Sequence, residues 1–515
     1  MVHVRGLASR FFIGIVRSAS HKPIESFSEM AKSLFVAALF GGFGSVQSAV
    51  RSVTERIANG ECIDPAAYSS DISLFTSKMS GFPASDVVAA ESDVTAANLI
   101  SFAYGNHFKV ISEELSKEQY VLTQCGLSQP TDAEIDALMP GTGYQRKHFT
   151  IPLQKVTVAS TTILTFLDLL NVEDRVAYLD SFATGACWQK ANSCGGTLES
   201  SFGNATLREQ HLNTVDAVFM DCGSDCSNVN AQGNAVHFPA TKDSGNLHSA
   251  EYIKFLAAFF NLEAVANNEF QKTVTAYTSY AITTNRPVVA WVGYNSWSKR
   301  YELFQATYRL QLTNAAGGTM VNGTQVAASI GSKMKVVDAV AGNTQAGKLN
   351  YVEIEGDDQQ AAANLLLGAL QDVDILVDET YAAVPGDYTF SSFLSTYFLT
   401  AQSNYKFMGK VLRLDGRLSE NNGYDWFESR VAAPHMAVGG LARYVKDDTS
   451  RTRTYFRNIA DNEQPEVITA AMCTSTLPIC NSSSYATPLT GISIDMSSCQ
   501  TWSLLSIPAI LTLWL

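Results

Sequence analysis

Positive charge is in short supply: 36 Lys and Arg stand against 49 Asp and Glu, a formal net charge of −13 over 515 residues. A chain this acidic repels phosphate backbones and anionic lipid headgroups, so nucleic acid is an unsuitable partner. Long apolar runs are also lacking. Leu34–Phe43 and Trp502–Leu515 are the candidates, and both are too short to cross a bilayer as a helix. No CxxC pair occurs among the cysteines, and the eight histidines have no metal-ligand spacing, so no metal site is expected. No HExxH, no GxSxG elbow and no H-x-E…C-x-x-C set lies in the expected mature region. No catalytic residue is therefore assigned. Gly342–Lys348 matches the first seven positions of a phosphate-binding loop, but Leu349 stands where Mg²⁺ needs a Ser or Thr hydroxyl. Short repeats and low-complexity tracts are absent too.

What is present at the two ends points to secretion. Lys32, the apolar Leu34–Phe43 and the small-residue site Val46-Gln47-Ser48 form a signal-peptide pattern, with Met30 as an alternative start. Segment 1–48 is read as this leader, so that the mature chain begins near Ala49. The uncharged tail of 499–515, preceded by Ser482, Ser483, Ser484, Ser497 and Ser498, reads as a GPI-anchor signal, with a short membrane tail or a packed helix as the alternatives. Loss of Cys499 with the tail leaves Cys62, Cys125, Cys187, Cys194, Cys222, Cys226, Cys473 and Cys480. That even number suits disulfides in an oxidising compartment, with Cys473–Cys480 a local pair closing a short loop. Zinc ligation by Cys187/Cys194 and Cys222/Cys226 is the alternative. Asn204, Asn322 and Asn481 head N-x-S/T glycosylation sequons.

Between the ends, apolar runs of strand length alternate with helical patterns. Residues 49–100 read as a small-residue-rich helical extension. Phe102–Ile111 and Gln119–Gln124 read as a hairpin opening a first α/β lobe, 101–247. Strands Lys155–Ala159, Ala177–Leu179 and Asp216–Met220 come next, with a helix over Thr161–Leu170. His248–Tyr280 contains neither Gly nor Pro and predicts one continuous helix of about nine turns, placed at 248–282 between the lobes. The second lobe, 283–445, carries strands at Pro287–Val292, Tyr308–Leu312, Val336–Val340, Tyr351–Ile354, Asp374–Val377 and Gly409–Leu414. Its helices fall at Ala361–Ala369 and Tyr388–Thr400, and Tyr424–Arg430 starts a last one. Residues 446–498 read as a polar stalk. Strand–helix alternation of this kind predicts an α/β fold of two doubly wound lobes joined by a long inter-lobe helix, with N- and C-terminal extensions.

Ligands of open α/β sheets bind beyond the carboxyl ends of strands. The residues at and just beyond those ends make Thr161, Trp188, Asp221, Tyr294, Trp297, Asp378, Glu379, Tyr381 and Arg413 the candidate ligand contacts. Hydroxyls, aromatics, carboxylates and one arginine suit a polar chelate held by stacking and hydrogen bonds. Plainer roles stand beside these. Ser160 and Thr161 suit helix N-caps, Asp378 and Glu379 could cap a helix or pair with Arg413, and Trp291 belongs to a core strand.

Several stretches resemble helical-backbone periplasmic binding proteins of the ferric siderophore and cobalamin type. Phe149–Leu179 is similar to the opening strand, Ser/Thr turn and helix of that family. Thr214–Asp221 resembles its second-strand motif, with Thr214 in place of the usual proline, and His248–Asn267 resembles the start of its inter-lobe helix. Val373–Tyr381 and Gly423–Pro434 are similar to plant and algal members, a branch that includes ferrichrome-binding proteins of algal surfaces. The resemblance implies a surface-tethered capture protein in the secretory pathway. Its cargo would be a ferric hydroxamate such as ferrichrome, with cobalamin or haem as alternatives, and it implies no resident cofactor. Expected partners are the small-molecule chelate, the membrane through the C-terminal anchor, and an uptake receptor or endocytic partner.

Two other functions fit the residues. A secreted hydrolase would use Asp378 and Glu379 across an open groove. A structural or adhesive wall protein would have its cleft filled by side chains.

Overall fold

Side-chain alternation decides how the first apolar runs are used. Strands β1 (Ile100–Tyr104), β2 (Phe108–Glu113), β3 (Glu118–Gln124) and β4 (Gln145–Ile151) form a sheet in the order β1-β2-β3-β4. Tyr120 and Leu122 face the main core, while Val121 between them packs with Val110 and Ile135 on the other face. The computed structural model describes Arg56 and residues 60–476, apart from 80, 92–98, 202, 222–232, 244, 281–283, 285 and 339–348. All lie in one compact unit, Val53–Leu515. The leader, the 342–348 loop, Cys222, Cys226, Cys480, Asn481 and the 499–515 tail fall outside the described residues.

The first parallel sheet is built from β5 (Val156–Val158), β6 (Val176–Tyr178), β7 (Ala217–Met220) and β8 (Ala235–His237), in the order β6-β5-β7-β8 with every pair parallel. Helix α1 (Leu164–Leu170) follows β5, α2 (Ala186–Ser193) follows β6, and α3 (Ala205–Asn213) precedes β7. Val156, Val158 and Phe219 enter the main core; Ala177, Tyr178 and Val218 pack with Leu212 of α3 on the opposite face. Both faces are covered, as near-continuous apolar parallel strands require.

The predicted single helix over His248–Tyr280 is instead three: α4 (Asn246–Ala250), α5 (Ile253–Ala258) and α6 (Glu263–Thr278). The break needs no Gly or Pro. Asn261 adopts a left-handed φ of 58°, a conformation asparagine tolerates better than most residues. The carbonyls freed there are used by other parts of the chain: Lys109 Nζ donates to Ala258 O at 2.8 Å and to Asn261 Oδ1 at 2.8 Å, and Leu153 N donates to Phe259 O at 3.0 Å.

The second sheet contains β9 (Val288–Asn295) and β10 (Arg300–Phe304), then, after α7 (Thr307–Ala315), β11 (Thr319–Met320), β12 (Met334–Asp338) and β13 (Leu349–Ile354). Helix α8 (Gln359–Ala369) leads to β14 (Ile375–Asp378), and α9 (Phe390–Thr396) to β15 (Val411–Arg413). The order is β12-β13-β10-β9-β14-β15-β17, the last being Arg457–Asn458, with β11 beside β9. Its centre, β9-β14-β15, is parallel and its flanks are antiparallel. Val289 and Trp291 face the main core, Ala290 and Val292 the other face. The predicted strand at Tyr308–Leu312 is helix α7, in which Arg309, Leu312 and Thr313 bury one helical stripe and Thr307 and Gln311 are buried on another side.

The last predicted helix shrinks to α10 (Asp425–Glu428), after β16 (Arg417–Ser419), and the final long helix is α11 (Pro434–Val445). The expected stalk is folded protein as far as residue 476. Strand β17 (Arg457–Asn458) joins the second sheet, β18 (Glu466–Ile468) pairs with β16, and Tyr455, Phe456 and Ile459 are buried. Residues 60–91, expected to be helical, hold one 3-10 turn at Pro65–Ala67 and one short helix at Ser85–Ala90.

Two disulfides tie distant segments: Cys62–Cys125, and Cys187–Cys473 across 286 residues. The second replaces the expected local pair Cys473–Cys480; packing of α2 against Ala470–Met472 brings the two sulfurs together. Cys194 is also disulfide-bonded, which removes it from the zinc alternative. Asn204 and Asn322 are exposed, and their side-chain oxygens cap helices by accepting from Leu207 N, and from Thr324 N and Gln325 N.

Candidate functional site

The carboxyl ends of β5 and β6 meet the segment 417–430 that follows β15, so the two sheets are joined where an open cleft was expected. Thr162 Oγ1 donates to Phe427 O at 3.1 Å. The carboxylate of Glu428 accepts from Thr184 N at 2.6 Å and Gly185 N at 2.8 Å, and Thr184 Oγ1 donates to Asp425 Oδ1 at 3.1 Å. A Cβ on Gly185 would lie 2.6 Å from Trp188 Cδ1 and 3.3 Å from Glu428 Oε1, so this approach needs glycine. Gln189 Nε2 donates to Ile468 O at 2.9 Å, beside the Cys187–Cys473 bridge. Burial, with Asp425 and Asp168 nearby, pushes the Glu428 carboxyl up to about 8.

Several of the expected contacts are buried or paired within the chain. Thr161 is partly buried and opens a 3-10 turn, and Ser160 before it makes no side-chain capping bond. Trp188 is not in a loop but buried on α2, its Nε1 donating to Asp168 Oδ2 at 3.1 Å. Arg413 and Asp378 are buried at the ends of neighbouring parallel strands. Arg413 Nη1 donates to Asp378 O at 3.0 Å, Thr380 O at 2.7 Å and Asp378 Oδ2 at 3.3 Å; Nε faces Asp415 Oδ2 at 3.3 Å. Burial works against the Arg413 charge, and Asp378 and Asp415 outweigh it. Arg457 closes the other side of Asp415, Nε to Oδ1 at 2.5 Å. Glu379 is held in a bidentate pair by Arg309, 2.7 Å for each bond. Neither carboxylate of the hydrolase alternative is therefore available to attack a substrate.

Three expected residues reach the surface or its edge. Tyr294 is partly buried, its N–H donating to Thr380 Oγ1 at 3.0 Å and its ring 4.9 Å from that of Tyr301. Trp297 is 68% exposed in the β9–β10 hairpin, and Tyr381 is 43% exposed. Because β9 turns back as an antiparallel hairpin instead of entering a helix, its tip carries Trp297 away from the parallel strand ends. Asp221 follows β7 and accepts from Thr241 Oγ1 at 2.5 Å.

The residue that sequence reading missed is Arg430, two positions after Glu428. Its guanidinium carbon lies 4.5 Å from the Tyr308 ring centre and 4.9 Å from that of Trp426. Its Nε is buried without a hydrogen-bond partner, and no carboxylate pairs with it among the described residues. The other face of Tyr308's neighbourhood holds Arg309, 4.6 Å from the same ring and neutralised by Glu379. Burial first, and then Arg309, lowers the Arg430 pKa from its ordinary value. An anion beside it would relieve both effects. The only sequence signal was its place in the Gly423–Pro434 stretch; that its charge lacks a partner depends on which elements pack around it.

A separate open cavity of about 450 Å³ lies beside the Cys187–Cys473 bridge, lined in part by Asp168, Glu173, Trp188 and Thr474. Burial and the charge of Glu173 push the Asp168 carboxyl up to about 8. Among the described residues, no helix is long and apolar enough to cross a membrane, and no group of three or more His, Cys, Asp or Glu side chains could hold a metal.

No protein-family model matches the chain, and no curated protein matches it. Among solved structures, the chain is similar to a periplasmic haem-binding protein of Pseudomonas aeruginosa, at 13% identity and a TM-score of 0.37 over 60% of this chain and 98% of that one. It is similar to an ABC-transporter substrate-binding protein of Listeria monocytogenes at 14% identity and a TM-score of 0.38, over 57% of this chain and 99% of that one. The petrobactin-binding protein YclQ of Bacillus subtilis shows 12% identity and a TM-score of 0.37, over 57% of this chain and 91% of that one. Likeness at this level assigns no ligand; the chain's own sheets show an α/β protein with two parallel-centred sheets joined at their carboxyl ends.

Proposed function

We propose that the protein is a non-catalytic solute-binding module that captures a small, negatively charged chelate at the junction of its two sheets. The observation that carries this reading is Arg430, a partly buried guanidinium between Tyr308 and Trp426 with no carboxylate partner among the described residues. An unpaired charge in such a place is costly unless a ligand completes it. Trp426 is buried in the core behind Arg430, and the partly buried Tyr308 is the ring that would stack on a chelate. Ferric chelates remain the favoured cargo, for iron uptake at a cell surface with the chain tethered through its C-terminal segment and handing cargo to a receptor or endocytic partner. The charge refines the choice. A ferric trihydroxamate such as ferrichrome is neutral by charge balance, so a siderophore with free carboxylates, or haem through its propionates, fits Arg430 better; cobalamin offers less.

One observation favours a second reading. The Glu428, Thr162 and Gln189 bonds and the Cys187–Cys473 bridge fix the two sheets together, as a structural wall protein with a filled cleft would have them. Titration of the purified protein with ferrichrome, ferrioxamine, haem and cobalamin, followed by calorimetry, separates the two. Micromolar binding of an anionic chelate that is lost in Arg430→Met supports capture. Absence of binding by all four supports the structural reading.

A further inference from the structure

Tyr308 stands in the first turn of α7, partly buried, with its ring centre 4.5 Å from the guanidinium carbon of Arg430. That turn is held from α4. Asn246 opens α4 and is buried. Its Nδ2 donates to Tyr308 O at 2.9 Å and also faces Tyr277 OH at 3.3 Å and Gln311 Oε1 at 3.4 Å. Its backbone N donates to the same Gln311 Oε1 at 3.0 Å. Tyr308 and Gln311 are three positions apart in α7, so they share one side of the helix. Asn246 therefore grips α7 at two successive points, by a backbone oxygen and by a neighbouring side chain, without using the Tyr308 ring.

The choice of asparagine is informative. Its Oδ1 is buried with no hydrogen-bond partner, and an orphaned buried acceptor is destabilising. A leucine of similar volume would leave no orphan. What the asparagine adds is the donor to Tyr308 O. Glu91 fixes the asparagine in turn. Gly245 precedes α4 and has no side chain to cap it, so Glu91, just past the short helix Ser85–Ala90, reaches across: Oε1 accepts from Leu247 N at 2.9 Å and Oε2 from His248 N at 3.3 Å. A carboxylate on the second and third N–H groups of a helix serves as its N-cap. Gly245 holds a φ of 109°, and a Cβ there would run into the Glu91 carboxylate.

We propose that Asn246 is a positioning residue of the Arg430 site, holding the first turn of α7 so that the Tyr308 ring meets a bound chelate, with Glu91 fixing Asn246. The proposal rests on the capture reading for its ligand and on the hydrogen bonds above for its geometry.

The test compares the native full-length protein with Asn246→Leu and Glu91→Gln, using haem as the probe. Asn246→Leu keeps the volume and removes the orphaned acceptor, so it should melt no lower than the native chain. It should bind haem about 2–10-fold more weakly, the effect of one aromatic contact misplaced. In an Arg430→Met background the same substitution should change haem affinity less, because both residues act through one ring. Without ligand, hydrogen exchange of the amides of 309–312 should quicken in Asn246→Leu and in Glu91→Gln, although Glu91 bonds α4 and not α7. Unchanged exchange together with unchanged haem affinity in Asn246→Leu would overturn the proposal. So would a large fall in its melting temperature, which would make Asn246 a residue of the fold alone. Quickened exchange in a protein whose native form binds no haem would uphold the hold of Asn246 on α7 and count against capture instead.

Discussion

Glu428 accepts the backbone N–H groups of Thr184 and Gly185, residues more than 240 positions earlier, at 2.6 and 2.8 Å. This one side chain bonds the segment after β16 to the loop after β6. Removing it should be felt as loss of two buried acceptors. Glu428→Ala is expected to destabilise by about 1–3 kcal/mol per orphaned donor group, measured by urea unfolding. A change below about 0.5 kcal/mol, the range of an ordinary surface substitution, would mean the junction is not held there.

The pH dependence arises from carboxyls whose pKa is raised by burial: Glu91 and Glu302 to about 7, Asp168 and Glu428 to about 8. Each binds a proton more tightly folded than unfolded. Their contribution is therefore complete below the unfolded carboxylate pKa and is lost as pH rises through the folded value. The melting temperature should fall steadily between about pH 5 and pH 8 and level off above that. Glu428→Gln, neutral at every pH, should reduce the slope. A stability maximum near pH 8 would contradict the arrangement.

Arg430 separates stability from binding. Its replacement by Met removes an unpaired, partly buried charge while keeping the stem that covers Trp426 and Tyr308, so the variant should melt no lower than the native protein. Affinity for an anionic chelate should fall by about 1.5–3 kcal/mol, the worth of a hydrogen bond to a charged group. A large drop in melting temperature would show that the guanidinium serves the fold.

Trp297 should report on solvent and little else. Being 68% exposed, its replacement by Ala should shift stability by no more than about 0.5 kcal/mol. The same variant should remove the most readily quenched part of the tryptophan fluorescence when acrylamide is added. Loss of chelate affinity in it would return the β9–β10 hairpin to the binding site.

The disulfide pattern can be read directly. A non-reducing digest should yield linked peptides for Cys62–Cys125 and Cys187–Cys473. Cys473→Ser should cost about 2–4 kcal/mol, the typical worth of a bridge closing a long loop. Recovery of a Cys473–Cys480 peptide would refute the long-range pairing.

The sequence by itself determined the local elements. The runs KVTVA, DAVFM, PVVAWV and DILV are strands close to their predicted limits, because a short continuous apolar run rich in β-branched residues is a local property. The alternation of these runs with helices fixed the α/β class and the two parallel-centred sheets. Tertiary structure decided everything that depended on distant partners. The helix from His248 breaks because Lys109 and Leu153, more than a hundred residues upstream, take the carbonyls released at Ala258 and Phe259. The polar stretch after Lys446 folds because Arg457 finds Asp415, and Tyr455 and Phe456 find the core around Trp426. Cys473 bonds to a cysteine 286 residues away instead of its near neighbour. The candidate site shows the same division. Strand ends drew attention to Asp378, Glu379 and Arg413, and packing then joined them in ion pairs. Arg430, which no spacing distinguished, has no carboxylate partner among the described residues, where Glu379 is engaged by Arg309 and Glu428 by the backbone of the opposite sheet.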